Sequence, residues 1–164
     1  MYKKYVLINN INGDFMINEI MSKKIIYGEI NDTIKDISKL MKKHNIGFIP
    51  IKNDNNYIGV ITDRDICLSI TCINNINDSI KSYISNGVIC INHNSNIDEA
   101  LNLMSKYKIK RLLVKEKDNI IGILSLSDIL NYTNNNNIIE TYKSIFSLKD
   151  NKQYSNPEVD DYYL

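Results

Sequence analysis

Charge of one sign is what this sequence most plainly lacks: 20 Lys and Arg stand against 19 Asp and Glu in 164 residues, a formal net charge of +1. Such a chain has no global field with which to hold a nucleic-acid backbone or an anionic membrane, so no direct nucleic-acid binding is expected and any anion binding must be local. Cysteine is scarce as well. Cys67, Cys72 and Cys90 are odd in number, show no CxxC spacing and sit among apolar neighbours, where a free thiol behaves as a small hydrophobe. That usage points to a reducing, cytoplasmic compartment. Nothing approaches the roughly 18 apolar residues of a membrane span, and residues 1–20 lack the basic start, apolar run and small-residue cleavage site of a signal peptide. A soluble, intracellular chain with no membrane partner is the expectation. The two histidines, His44 and His93, are far from metal-ligand spacing, and His44 reads as the C-terminal cap or a surface residue of a helix, so no metal is expected. Nor do a nucleophile, a base and an orienting acid fall together, so no catalytic residue and no enzymatic activity are predicted.

What is present is enough apolar residue, 43% against 24% charged, to bury a core, and an internal repeat. Gly59-Val60-Ile61-Thr62-Asp63-Arg64-Asp65-Ile66 aligns with Gly122-Ile123-Leu124-Ser125-Leu126-Ser127-Asp128-Ile129 at an offset of 63 residues. The same offset, without a gap, places Ser22 on Ser85, Ile34 on Ile97, Leu40 on Leu103, Met41 on Met104, Ile46 on Ile109, Ile51 on Val114 and Asn56 on Asn119.

The periodicities agree between the copies. Ile25-Ile26-Tyr27 and Val88-Ile89-Cys90-Ile91 read as short buried strands, each followed by a polar turn. Thr33 with Asp36, and Asn96 with Glu99, read as helix N-caps ahead of apolar residues at helical spacing. Two strands follow, 48–51 and 57–61 in the first copy and 112–115 and 120–124 in the second, each pair joined by a polar turn. Thr62 and Ser125 then stand where a second helix begins. Each repeat reads strand, helix, strand, strand, helix. Outside them lie residues 5–8, a strand or helix, with a turn at Asn12-Gly13-Asp14; an amphipathic terminal helix carrying Ile138, Ile139, Tyr142, Ile145 and Phe146; and a mobile acidic tail.

The end of each repeat has a chemical reading of its own. A glycine ending a turn, three apolar strand residues, a hydroxyl and then an acid three residues later put Thr62 at a helix N-cap and Asp65 in the first turn. A carboxylate there can accept both hydroxyls of a ribose, while Thr62 and the free N–H groups of the helix start can face a phosphate. The same pattern also caps any helix, with no ligand involved.

On the segments Ile46-Gly47-Phe48-Ile49-Pro50-Ile51 and Ile58-Gly59-Val60-Ile61-Thr62-Asp63-Arg64-Asp65-Ile66, the chain resembles the cystathionine-β-synthase (CBS) domain family, in particular its stand-alone bacterial members made of two repeats. The resemblance covers about residues 17–133. It implies an α/β (α+β) fold of two β-α-β-β-α repeats packed as a pseudo-two-fold module, with an N-terminal extension at 1–16, repeats at 17–75 and 76–133, a C-terminal helix at 134–149 and the tail at 150–164. It further implies two clefts, each completed by residues of both repeats. One would combine Thr62, Arg64 and Asp65 with Ser85, Ile89, Lys110 and Arg111; the other Ser125, Ser127 and Asp128 with Ser22, Ile26 and Gly47. Ile26 and Ile89 would read an adenine edge through backbone groups.

By the same resemblance the ligand is an adenosine compound, AMP, ADP, ATP or S-adenosylmethionine, with no other cofactor required, and two modules associate as a homodimer. Because Lys110-Arg111 stands in the second copy where Gly47-Phe48 stands in the first, a charged nucleotide is expected in the cleft of Asp65. The implied function is a regulatory sensor acting on an unknown partner protein. The alternatives are a dimerisation or scaffold protein with non-functional clefts, and an accessory part of an enzyme or transporter.

Overall fold

The computed structural model describes residues 16–69, 76–85, 87–132 and 137–146. The expectations for residues 5–14, for Cys72 and for the tail lie outside these residues. Among the described residues the order is α1 (Ile17–Ile20), β1 (Gly28–Glu29), α2 (Ile34–His44), β2 (Phe48–Asn53), β3 (Asn56–Thr62), α3 (Asp63–Ser69), a 3₁₀ turn (Ile80–Ser82), β4 (Cys90–Asn92), α4 (Ile97–Tyr107), β5 (Arg111–Glu116), β6 (Asn119–Ser125), α5 (Leu126–Tyr132) and α6 (Asn137–Phe146). This is the mixed α/β arrangement of two β-α-β-β-α repeats.

Each repeat carries a three-stranded sheet, β1-β2-β3 and β4-β5-β6. In both, the first strand runs parallel to the second and the second antiparallel to the third. The helices start where the sequence places their caps. The Thr33 hydroxyl accepts from Asp36 N–H at 3.2 Å, and Asn96 Oδ1 accepts from Glu99 N–H at 2.9 Å. Both α2 and α4 end on a left-handed residue, Asn45 (φ 52°) and Lys108 (φ 55°), 63 positions apart. His44 is the last residue of α2, and Asn45, not His44, is its cap.

Two strand expectations shift. The first strand of each repeat begins two to three residues late, at Gly28 and Cys90, leaving Tyr27 exposed, because its parallel register with the middle strand starts at Gly28–Ile51 and Cys90–Leu113. The hairpin strands instead reach further than expected, to Asn53 and Glu116, since their ladders continue to the Asn53–Asn56 and Glu116–Asn119 pairs. Cysteine placement is divided as well. Cys90 is half-buried, but Cys67 is exposed on α3 rather than packed in the core.

The core does not divide where the sequence repeat does. Ile34, Ile37, Ile49, Ile51 and Ile61 of the first copy pack with Ile80 from beyond it. Ile91, Ile97, Leu101, Met104, Leu112, Val114 and Leu124 of the second pack with Ile17 and Ile20 from the start of the described chain. Ile17 and Ile80, 63 positions apart, are both fully buried. Their N–H groups donate to Ser95 O at 3.2 Å and to Asp32 O at 3.2 Å. Each repeat is thus closed by a short segment belonging, in sequence, to the other's approach, and each such isoleucine contributes about 1.5–3 kcal/mol by burial.

The crossing segments then join the opposite edge of the sheet. Ser22 exchanges both backbone hydrogen bonds with Ile123 at 2.9 Å, while Ser85 N–H donates to Val60 O at 2.9 Å and Gly87 N–H to Ile58 O at 3.1 Å. This corrects the reading of Gly59 and Gly122 as glycines ending a turn. They lie within β3 and β6, where a side chain has no room: a Cβ on Gly59 would stand 2.3 Å from Ser85 O, and one on Gly122 2.9 Å from Ser22 O.

Candidate functional site

At the end of β3 the chain turns into α3 through a closed ring of hydrogen bonds. The Thr62 hydroxyl and N–H donate to Asp65 Oδ2 at 2.6 and 2.8 Å, and Asp65 N–H donates back to Thr62 Oγ1 at 3.2 Å. Ser125 and Asp128 repeat it at 2.6, 2.8 and 3.1 Å. These are capping boxes, and one oxygen of each carboxylate is committed to them. The same ring occurs at Thr33–Asp36, at the start of α2. Hydrogen bonding from Thr33 holds the Asp36 carboxyl below its ordinary range.

Beside Thr62 the structure assembles residues of both repeats. Ser85 lies along β3, its hydroxyl accepting from Val60 N–H at 2.9 Å and donating to Gly87 O at 3.1 Å. Arg111 opens β5, and its guanidinium lies 5.6 Å from the centroid of the Phe48 ring. Phe48 in turn is the β2 partner of Thr62. Phe48 and Arg111 are equivalent positions of the repeat. Two residues related by a two-fold can meet only near its axis, so this contact marks the pseudo-symmetry axis and brings a cation of the second repeat to the Thr62 end of the first.

Lys110, the neighbour of Arg111, reaches α6. Its ammonium sits 4.0 Å from the ring centroid of Phe146 on α6, a cation–π contact between an exposed lysine and a half-exposed ring. Arg64 is exposed, its N–H donating to Asp63 Oδ1 at 2.8 Å. Ile89 lies against β5, its carbonyl accepting from Leu113 N–H at 3.1 Å.

The residues expected for the other cleft stand in a different field. Ser22 is joined to Ile123, two residues before Ser125, and Ser125 and Ser127 hydroxyls are 3.1 Å apart. Gly47 adjoins a carboxylate: a Cβ there would be 2.3 Å from Asp63 Oδ2. Asp63 N–H donates to Gly47 O, as Leu126 N–H does to Lys110 O. One repeat therefore pairs glycine with an acid where the other pairs a lysine with a buried leucine. Ile26 differs from Ile89 too, because Pro50 takes the place of Leu113 and has no N–H to give its carbonyl.

Phe48, Asp63 and Phe146 were not among the expected site residues. Phe48 and Asp63 were within reach, since they occupy the positions 63 residues before Arg111 and Leu126. Phe146 carried no such signal, because α6 stands outside the repeat.

No helix among the described residues is long and apolar enough to cross a membrane. A family model described as the CBS domain matches residues 17–71 and again 80–135. Among curated proteins, a CBS domain-containing protein of Bacillus subtilis (strain 168), YhcV, is 30% identical over 114 residues, covering 69% of this chain and 81% of that one. A conserved CBS domain protein of Thermoplasma acidophilum superposes with a TM-score of 0.70 at 20% identity, over 79% of this chain and 75% of that one. The CBS domain pair of protein MJ0100, solved in complex with 5'-methylthioadenosine and S-adenosyl-L-methionine, superposes with a TM-score of 0.63 at 28% identity, over 71% of this chain and 97% of that pair. With both repeats matched, this chain belongs to the CBS-domain family.

Proposed function

We propose that the chain is a cytoplasmic regulatory module that binds an adenosine ligand of the AMP, ADP or ATP type in the cleft of Thr62, Arg64, Asp65, Ser85, Ile89, Lys110 and Arg111. Binding changes the angle or order of the repeats, and the module, as a homodimer, passes that change to a partner protein. The ligand shifts the module only by its difference in affinity for the two arrangements.

The observation carrying this reading is Arg111, brought by its contact with Phe48 to the end of the first repeat where Thr62 and Asp65 stand. A ribose could use the Asp65 oxygen that the cap leaves, and a guanidinium is the usual partner of phosphate oxygens. The MJ0100 pair with its two bound adenosine compounds lends support to the ligand class. The cleft of Ser125, Ser127, Asp128, Ser22, Ile26 and Gly47, with Asp63 beside Gly47, repels phosphate and suits a neutral or cationic compound such as S-adenosylmethionine. Isothermal titration with AMP, ATP and S-adenosylmethionine, on wild type and Asp65→Ala, tests the proposal. Tight nucleotide binding lost in the variant supports it; weak heats unchanged between the two proteins defeat it.

A second reading, a dimerisation or scaffold protein with non-functional clefts, draws on two observations. The ring at Thr33–Asp36 shows that a cap alone accounts for the hydrogen bonds of Asp65 and Asp128. Ile139, Tyr142 and Phe146 also expose an apolar row on α6. The same titration decides between the two.

A further inference from the structure

We infer that α6 is a latch on the cleft of Asp65, released when a phosphate-bearing ligand takes Lys110 away from Phe146. The inference rests on the reading of Lys110 as a phosphate ligand. Two contacts tie α6 to the entry of β5. Lys110 Nζ lies 4.0 Å from the Phe146 ring centroid, and Lys108 Nζ donates to Ser144 O at 2.5 Å and Ser144 Oγ at 2.6 Å. Both lysines belong to the short link between the end of α4 at Tyr107 and the start of β5 at Arg111. A pull on Lys110 and Arg111 from the cleft is therefore felt at both attachments of the helix.

A phosphate in the cleft draws the ammonium toward itself and away from its seat over the ring, so the ligand and Phe146 compete for its position. The competition is confined to one repeat: the positions matching Lys108 and Lys110 are Asn45 and Gly47, which carry no cation. The helix is otherwise held by Ile138, Thr141 and Ile145, buried against the second repeat, and by the Ser105 hydroxyl donating to Ser144 Oγ at 2.8 Å, whereas Tyr142 and Phe146 stack on each other at 4.2 Å and are each about half exposed. Loss of one exposed contact loosens the last turn without opening the core. A phosphate ligand thereby changes the surface that α6 presents.

The test uses the full chain with ADP as ligand and adenosine as its phosphate-free counterpart, on wild type, Phe146→Ala and Phe146→Tyr. An exposed cation–π contact corresponds to roughly a 2- to 5-fold change in affinity. Phe146→Ala is expected to bind ADP tighter by that factor and adenosine with wild-type affinity, while Phe146→Tyr, which keeps a ring, matches wild type. Hydrogen exchange in the last turn of α6 should rise when wild type binds ADP and stay unchanged with adenosine. If wild type binds ADP but Phe146→Ala binds it equally or more weakly, and α6 exchange does not respond, the latch is refuted while the nucleotide reading stands. If ADP binds none of the three proteins, the nucleotide reading falls and the latch with it.

Discussion

The two repeats share a backbone almost position for position and differ in what they put at the same place. Both close a helix start with a hydroxyl and an acid, both turn α2 or α4 off with a left-handed residue, and both admit the neighbouring segment at a glycine. Yet Gly47 with Asp63 faces Lys110 with Leu126, Pro50 faces Leu113, and α6 packs on the second repeat. Caps, helix ends and close crossings constrain the shared residues, while equivalent buried positions repack, as Ile37 and Ala100 show. Divergence occurs at buried positions such as Pro50 and Leu113 as well as at exposed ones, so chemical difference collects where the backbone is the same.

The largest test of the shared frame is the exchange of closing segments. Ile17→Ala and Ile80→Ala should each cost about 2–5 kcal/mol in urea unfolding, the range for emptying a buried isoleucine site. A loss below about 1 kcal/mol for Ile17→Ala would mean that α1 does not close the second repeat. Next come the crossing glycines. Gly59→Ala should destabilise by about 1–3 kcal/mol as its Cβ meets Ser85 O. Gly122→Ala should cost less, because its backbone obstacle, Ser22 O, stands at 2.9 Å rather than 2.3 Å and its nearer one is the flexible Met21 Sδ; equal losses would show that the two crossings are equally tight.

Caps come third and should not distinguish the repeats in stability. Thr62→Ala and Ser125→Ala are each expected to lower it by about 0.5–2 kcal/mol, while only Thr62→Ala weakens ADP binding. The smallest effect is one of pH. The Asp36 carboxyl is held low in the folded state, so its share of stability is complete above the ordinary carboxylate range and is lost as pH falls through the lower folded value. Wild type should be more stable than Asp36→Asn above the ordinary carboxylate range, and urea unfolding across pH should show that difference disappearing as pH falls through the lowered folded value.

Much of the frame was legible because it is local. Thr33 with Asp36, Thr62 with Asp65 and the apolar spacing of α2 and α4 act within one or two turns of chain, and the 63-residue offset carried each from one copy to the other. The exchange of Ile17 and Ile80 was not, since which sheet a segment joins depends on partners far along the chain. Lys110, with Arg111, was expected to contact phosphate through the family resemblance. Its contact with Phe146 comes from a helix that no repeat position foretells.

The central claim is that one frame holds two chemically unequal clefts, and the stoichiometry of ADP measured by isothermal titration tests it most directly. The account predicts one ADP per chain, lost in Asp65→Asn, which keeps an acceptor for the Thr62 cap, and retained in Asp128→Asn. Two equivalent ADP sites per chain, or binding lost with Asp128→Asn and kept with Asp65→Asn, would contradict it.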